Sequence, residues 1–174
     1  MAPPPDPERF RQVFGNFVTG VAVITCHGAD GPAGATTNAV CSVSLRPPLL
    51  LTCLDRSSRT LRAVTEAGRF AVNVLRAEQE DLAAVFASKR VPREKFEAVA
   101  HRAEEGVPVL DDALAWFACD VRDVHDGGDH VIVVGEVTHL DAIAGEPLIF
   151  HRGRYLRLAG DVTPSPARAA RGMR

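Results

Sequence analysis

Ala115-Trp-Phe-Ala-Cys-Asp-Val-Arg-Asp-Val-His125, then Asp126-Gly127-Gly128-Asp129, then His130-Val-Ile-Val-Val-Gly-Glu-Val-Thr-His-Leu140, is the stretch on which the fold turns. Both flanks are rich in β-branched and aromatic residues, and the Asp-Gly-Gly-Asp between them is the punctuation of an antiparallel hairpin. Upstream, strands are expected over 21–26, 33–45, 49–54 and 70–75, with Pro47-Pro48 breaking the chain between the second and third. Downstream, a short pair over 148–151 and 154–158 turns at Gly153. Helices are expected over 7–18, 58–67 and 78–87. The first of these puts Phe10, Val13, Phe14 and Phe17 on one apolar face, with Gly20 to end it. The segment 88–112 shows no clean period and reads as irregular. Strands outnumber helices and do not alternate with them, which favours a mostly antiparallel β-barrel with a few peripheral helices over a doubly wound α/β sheet.

Composition bounds the function. At 174 residues and 46% hydrophobic, the chain is long and apolar enough for one domain with a real core. A net charge of −2 argues against a general nucleic-acid binder, and no stretch has the run of apolar residues that a membrane helix needs. Residues 1–7 and 161–174 read as a disordered lead and tail around a domain over 8–160. The lead has Pro3, Pro4, Pro5 and Pro7 beside acidic residues and lacks the make-up of a signal peptide, so the expected location is cytoplasmic. The cysteines, Cys26, Cys41, Cys53 and Cys119, form no C-x-x-C pair, and three of them sit in apolar runs as buried free thiols would. The histidines show no metal-ligand spacing, so no metal is expected.

Three segments hold candidate chemistry. There is no G-x-G, no P-loop and no G-x-S-x-G, so a nucleotide would bind without a glycine-rich cradle. Gly31 to Leu45 carries no charge, and strand alternation would place Thr36, Asn38, Val40, Ser42 and Ser44 on one face. Such a row of short hydrogen-bonding groups suits the edge of a flat neutral heteroaromatic ligand, and it also suits an ordinary half-exposed strand. Asp55-Arg56-Ser57-Ser58-Arg59-Thr60 precedes a helix, where free N–H groups, hydroxyls and guanidinium groups make an anion site; a plain N-cap at Ser57 or Ser58 reads equally well. Finally, His130 stands at the mouth of the long hairpin, either as a solvated turn residue or as a polar contact to a second ligand.

Taken in order, several stretches resemble the flavin reductase family with the FMN-binding split-barrel fold, the reductase components of two-component flavin-dependent monooxygenases. They are Phe14-Gly-Asn-Phe-Val-Thr-Gly20-Val-Ala-Val-Ile-Thr25, Thr36-Thr-Asn-Ala-Val-Cys-Ser42-Val-Ser44-Leu45, Pro47-Pro-Leu-Leu-Leu-Thr-Cys-Leu-Asp55-Arg-Ser-Ser58, Phe70-Ala-Val-Asn73-Val-Leu75, Gly128-Asp129-His130 with Gly135-Glu-Val137, and His151-Arg-Gly153-Arg-Tyr155. Together they span about residues 8–158.

The resemblance implies a homodimer of six-stranded antiparallel Greek-key split β-barrels, with the flavin near the subunit interface. It implies an NAD(P)H-dependent flavin reductase that passes hydride to free FAD or FMN and supplies reduced flavin to a partner monooxygenase in a biosynthetic pathway. Carried over by position, Thr36, Thr37, Asn38, Ala39 and Ser42 line the isoalloxazine, with Ser44 and Arg46 at the end of that strand. Ser57, Ser58, Arg59 and Thr60 hold the phosphate, Phe70 and Asn73 sit behind the site, His130 faces the nicotinamide and Tyr155 closes over the flavin. No side chain acts as acid, base or nucleophile, because the hydride chemistry belongs to the cofactors. A pyridoxamine-phosphate-oxidase-like FMN enzyme and a non-catalytic flavin-binding protein are the alternatives.

Overall fold

The computed structural model describes residues 3–158. It contains α1 (Pro7–Phe14), β1 (Thr19–Gly20), β2 (Ala22–Gly28), β3 (Gly31–Thr37), β4 (Val40–Leu45), β5 (Pro48–Asp55), α2 (Arg59–Ala67), β6 (Arg69–Val74), α3 (Glu80–Ala87), α4 (Pro92–Glu97), β7 (His101–Glu104), β8 (Val107–Leu110), β9 (Ala115–Gly127), β10 (His130–Ala142), β11 (Ile149–His151) and β12 (Arg154–Leu156). Met1, Ala2 and the whole of the expected 161–174 tail lie outside the described residues. Among the described residues no helix is long and apolar enough to cross a membrane.

Seven strands form the main antiparallel sheet, in the order β3-β2-β6-β9-β10-β5-β4. The expected hairpin is its centre: β9 and β10 pair along their length around Gly128, which takes φ +79°. The resemblance implied six strands, and the seventh comes from the expected 33–45 strand, which is two strands here. Thr37 Oγ1 accepts from Ala39 N at 3.0 Å and folds the backbone over locally. Beyond that point Val40 pairs with Thr52 on β5, while Thr37 pairs with Ala22 on β2. The chain therefore leaves one edge of the sheet and enters the other across Asn38 and Ala39 alone. Three peptide steps span about 11 Å at most, so the sheet must curl until its edges nearly meet.

The inside of the curl is filled by Ile24, Cys26, Phe70, Val72, Cys119, Val133 and Leu54, closed by Leu61 and Val64 of α2. Gly135 belongs to this packing, since a Cβ there would stand 2.6 Å from Phe70 Cζ and 2.8 Å from Cys119 Cβ. A second core, with Val21, Val23, Leu75, Phe86, Phe96, Leu110 and Leu148, joins the outer face of the sheet to α3 and α4.

Two stretches differ from the sequence expectation. Helix α1 stops at Phe14 rather than 18, because the Asn16 amide donates back to Gln12 O and Val13 O at 3.2 and 2.9 Å and occupies the helix's last carbonyls. The segment 88–112, read as irregular, contains α4, opened by Pro92 at N1, and the hairpin β7–β8. Its turn is Glu105-Gly106, with φ of 47° and 77°, a primed turn whose first residue is not one of the usual Asn or Asp signals.

Candidate functional site

Where β3 and β5 end and α2 and β10 begin, two adjoining clefts of about 260 and 410 Å³ share Ala35, Thr36, Asp55 and Ser58. The first also takes in Thr37, Asn38, Ala39 and His130, and the second Ser57, Arg59, Thr60 and the segment Phe86 to Arg90 with Lys95. On the far side of Asn38 lies an apolar chamber of about 510 Å³, walled by Phe14, Phe17, Val18, Val40, Cys41 and Leu51. Thr37, Asn38, Ala39 and Cys53 line both the chamber and the first cleft. The three spaces thus adjoin in a row, a trough that is apolar at one end and polar in the middle, where Asp55 and His130 stand at its side, with cations at the other end.

The middle is built by the crossover. The Thr36 hydroxyl donates to Ala83 O at 2.7 Å, so its hydrogen is already committed, while Asn38 is exposed and makes no side-chain hydrogen bond among the described residues. β3 is an edge strand, so alternate backbone N–H and C=O groups beside Thr36 and Thr37 have no ladder partner.

At the cationic end, Ser58 is the N-cap of α2 and its Oγ accepts from Thr60 N at 3.2 Å. This is the cap reading of the sequence, and it leaves the Ser58 hydroxyl hydrogen free to face the cleft. Asp55 is held by Ser57, through Oγ at 2.6 Å and N at 2.7 Å; these bonds, with the nearby His130, hold its carboxyl below the usual range. Arg56 turns away from the cleft toward the hairpin and bonds Asp126 and Gly128 O. Arg59 stays in the cleft, and folding brings it Lys89, Arg90 and Lys95. None of these four cations makes an ion pair among the described residues. Lys95 is only 6% exposed, and its Nζ donates to Phe86 O at 2.9 Å and Gly34 O at 3.4 Å. Burial first, then Arg59, pushes its ammonium pKa down. Gly34 is required beside it, since a Cβ there would stand 2.8 Å from Phe86 Cε1.

The sequence reading missed Lys89, Arg90 and Lys95, although four cations within seven residues around Pro92, Arg93 included, were a visible signal. Other expected site residues fall elsewhere. Ser42, Ser44 and Arg46 lie on or just beyond β4, outside the trough, and Ser44 Oγ accepts from Arg46 N at 3.2 Å. The broken strand is the reason, for it carries them to the opposite sheet edge. Phe70 and Asn73 are fully buried. The Asn73 amide donates to Val23 O and Thr25 Oγ1 at 3.1 and 3.0 Å and accepts from Leu110 N at 2.8 Å, so it ties β6 to β2 and β8 and has nothing left for a ligand. Tyr155 packs on Phe150 at 5.7 Å, in the small sheet β1-β11-β12, away from the clefts. His130 does line the trough; its Nδ1 lies 2.8 Å from Asp129 Oδ1, and it pairs across the ladder with Asp55.

Comparison with known proteins adds a family to this geometry. The model of the flavin reductase like domain matches residues 14–159. A probable flavin reductase of Rhizobium meliloti is 46% identical over 159 residues, which cover 89% of this chain and 50% of the relative, so the chain spans half of that protein's length. The reductase subunit HsaB of a flavin-dependent monooxygenase from Mycobacterium tuberculosis is 41% identical over 162 residues, 91% of this chain and 86% of its own. Among solved structures, the NADH:FAD oxidoreductase SgcE6 of Streptomyces globisporus, in complex with NAD and FAD fragments, superposes with a TM-score of 0.85 at 38% identity, covering 93% of this chain and all of that one.

Proposed function

The chain belongs to the flavin reductase like family, and from that premise we propose that it is an NADH:flavin oxidoreductase that supplies reduced flavin to a partner monooxygenase. The observation that carries this reading is the trough: an apolar chamber, a neutral hydrogen-bonding waist at Thr37–Ala39, and a cleft with unpaired cations at the start of α2. An isoalloxazine, a ribityl chain and a phosphate ask for those surroundings in that order. Bound together, nicotinamide and flavin would supply the chemistry, hydride transfer from C4 of the nicotinamide to N5 of the flavin.

The protein's part is to hold and to aim. Backbone groups of β3 and the Asn38 amide meet the ring edge, and Phe14 and Phe17 cover apolar surface. Ser57, Ser58, Arg59 and Thr60 line the phosphate end with Lys89, Arg90 and Lys95. This cation count exceeds what one phosphate needs, which supports FAD over FMN. His130, at the rim, is assigned to the nicotinamide, where a neutral imidazole can both donate to and accept from a carboxamide or a ribose hydroxyl. We read the curled sheet as the family's split barrel, with 8–160 as its domain.

We assign a homodimer to α1 and β4. Phe10, Phe14 and Phe17 are more than half exposed, as is Leu45 on the unpaired edge of β4, and water is a poor partner for all of them. Its four unpaired cysteines suit a reducing cytoplasm.

The test is NADH oxidation followed with FAD, FMN, riboflavin or no flavin added. Turnover that depends on added flavin, with KM rising from FAD to FMN to riboflavin, is the expected result. Steady NADH oxidation without flavin, beyond trace bound cofactor, overturns the free-flavin reading; inert protein at saturating flavin leaves a flavin-binding protein.

A further inference from the structure

We infer that Arg56 is a positioning residue that locks the flavin-phosphate wall to the nicotinamide-facing histidine; the inference rests on the reading of the site just given. The β10–β5 ladder ends at the pair His130 and Asp55, so the hairpin tip beyond it, 126–129, has no strand partner except itself. Arg56, the next residue after β5, supplies one. Its backbone N–H donates to Asp129 O at 3.0 Å, and its Nε donates to Gly128 O at 3.1 Å. Nη2 bonds the Asp126 carboxylate and reaches His130 O at 3.4 Å. The same Asp126 oxygen accepts from Gly128 N at 3.2 Å, so one guanidinium closes a ring of contacts over the whole turn.

The arrangement is two-sided. Toward the tip, Asp129 holds the His130 ring through Nδ1 at 2.8 Å, so whatever fixes Asp129 fixes the imidazole. Toward the cleft, Arg56 is followed directly by Ser57 and by Ser58, the N-cap of α2. The guanidinium charge is spent on the hairpin, which distinguishes Arg56 from Arg59, three residues on and facing the cleft. Side-chain exposures of 52% and 81% for Arg56 and Asp126 keep the ion pair itself weak. The strength of the latch lies in the number and spread of its acceptors, which a lysine cannot reproduce with a single point charge. Gly128, at φ +79°, is the flexible position the latch restrains.

The experiment compares Arg56→Ala, Arg56→Lys, Asp126→Ala and the Arg56→Ala/Asp126→Ala pair with the intact protein. It reads flavin Kd by fluorescence quenching, KM and kcat for NADH, and amide hydrogen exchange over 126–130. Arg56→Ala is expected to raise KM for NADH about fivefold, equivalent to about 1 kcal/mol, with flavin Kd changed by less than about threefold. Exchange at 128–130 should quicken by roughly tenfold. Arg56→Lys should fall between the intact protein and Arg56→Ala, and the pair should lose less than the sum of its two single changes, because they share one contact while the Asp126 bond to Gly128 N is lost in addition. Unchanged NADH KM with unchanged exchange overturns the latch. Equal losses in flavin and NADH binding also overturn it, by making Arg56 a general support of the loop. If the intact protein fails to oxidise NADH with flavin, the functional reading falls, while the exchange measurement still decides whether Arg56 restrains the tip.

Discussion

Replacing Lys95 by methionine keeps most of the side-chain volume and removes one charge from the floor of the cationic cleft. In the free protein the ammonium does two things. It satisfies Gly34 O and Phe86 O, and the second is one of the carbonyls at the end of α3 that have no helical partner. It also sits at 6% exposure with no carboxylate, beside Arg59, which is unfavourable for a cation. Losing the two bonds costs about 1–3 kcal/mol, and losing the desolvated charge returns a comparable amount, so the net change in stability should be within about 2 kcal/mol. Flavin binding has no such cancellation. A charge-assisted bond to a phosphate in this cleft contributes about 1.5–3 kcal/mol, so Lys95→Met should weaken FAD and FMN by about ten- to a hundredfold and leave riboflavin unaffected.

The pH dependence has a definite sign. The folded ammonium loses its proton at lower pH than the unfolded one, so between the two values the unfolded chain binds the extra proton, and stability rises with pH across that window. Affinity for flavin phosphates falls over the same rise, because the cation is lost. Lys95→Met should be flat in both. Fluorescence titrations of the three flavins from neutral to alkaline pH, with thermal unfolding alongside, check this. Equal weakening of riboflavin and FAD would refute the reasoning, for it would mean that the substitution moves β3 rather than removing a phosphate contact.

Other expectations follow from the same site. Ser58→Ala/Arg59→Ala should raise the flavin KM about tenfold or more for FMN and FAD, and an equal change for riboflavin would disprove a phosphate role. His130→Ala should raise KM for NADH or lower kcat by about one to two orders of magnitude through lost positioning, with flavin Kd within about threefold; steady-state kinetics and quenching on the same sample separate the two. Phe17→Asp puts a charge on a residue 66% exposed in the protomer, so it should cost a monomer little and a dimer much. Light scattering should show smaller particles, and an unchanged mass would remove Phe17, just beyond α1, from the interface.

Much of this fold is written in short-range signals. The β9–β10 hairpin is legible because alternation and Asp-Gly-Gly-Asp agree locally, and α2 is legible because Ser58 and Gly68 mark both its ends. The break at Asn38–Ala39 is not, for it contains neither Gly nor Pro, and its cause is the meeting of two sheet edges set by strands far away in sequence. The site divides along the same line. Ser58 and Arg59 announce themselves at a helix start, whereas Lys95 reaches the cleft only because α4 packs back on β3, and its partners, Gly34 O and Phe86 O, are backbone atoms with no sequence signature. Asn73, which the resemblance places behind the site, spends its amide on two other segments of the fold, β2 and β8, and those partners are equally invisible in the sequence.

The placement of the hairpin in the sheet has a consequence for how the chain is made. β9 and β10 are central in space and late in sequence, and every path from β6 to β5 through the ladder runs across them. A ribosome that has released only the residues through β8 has made two ladders, β3-β2-β6 and β5-β4, joined through Asn38 and Ala39 and each with a raw edge awaiting the hairpin. The wall that carries His130 is missing until residues 115–142 emerge, so completion of the trough should be among the last events of biogenesis. High contact order of this kind slows folding, and it makes the interval before hairpin insertion the time when the chain is most exposed to edge-to-edge aggregation and to proteases.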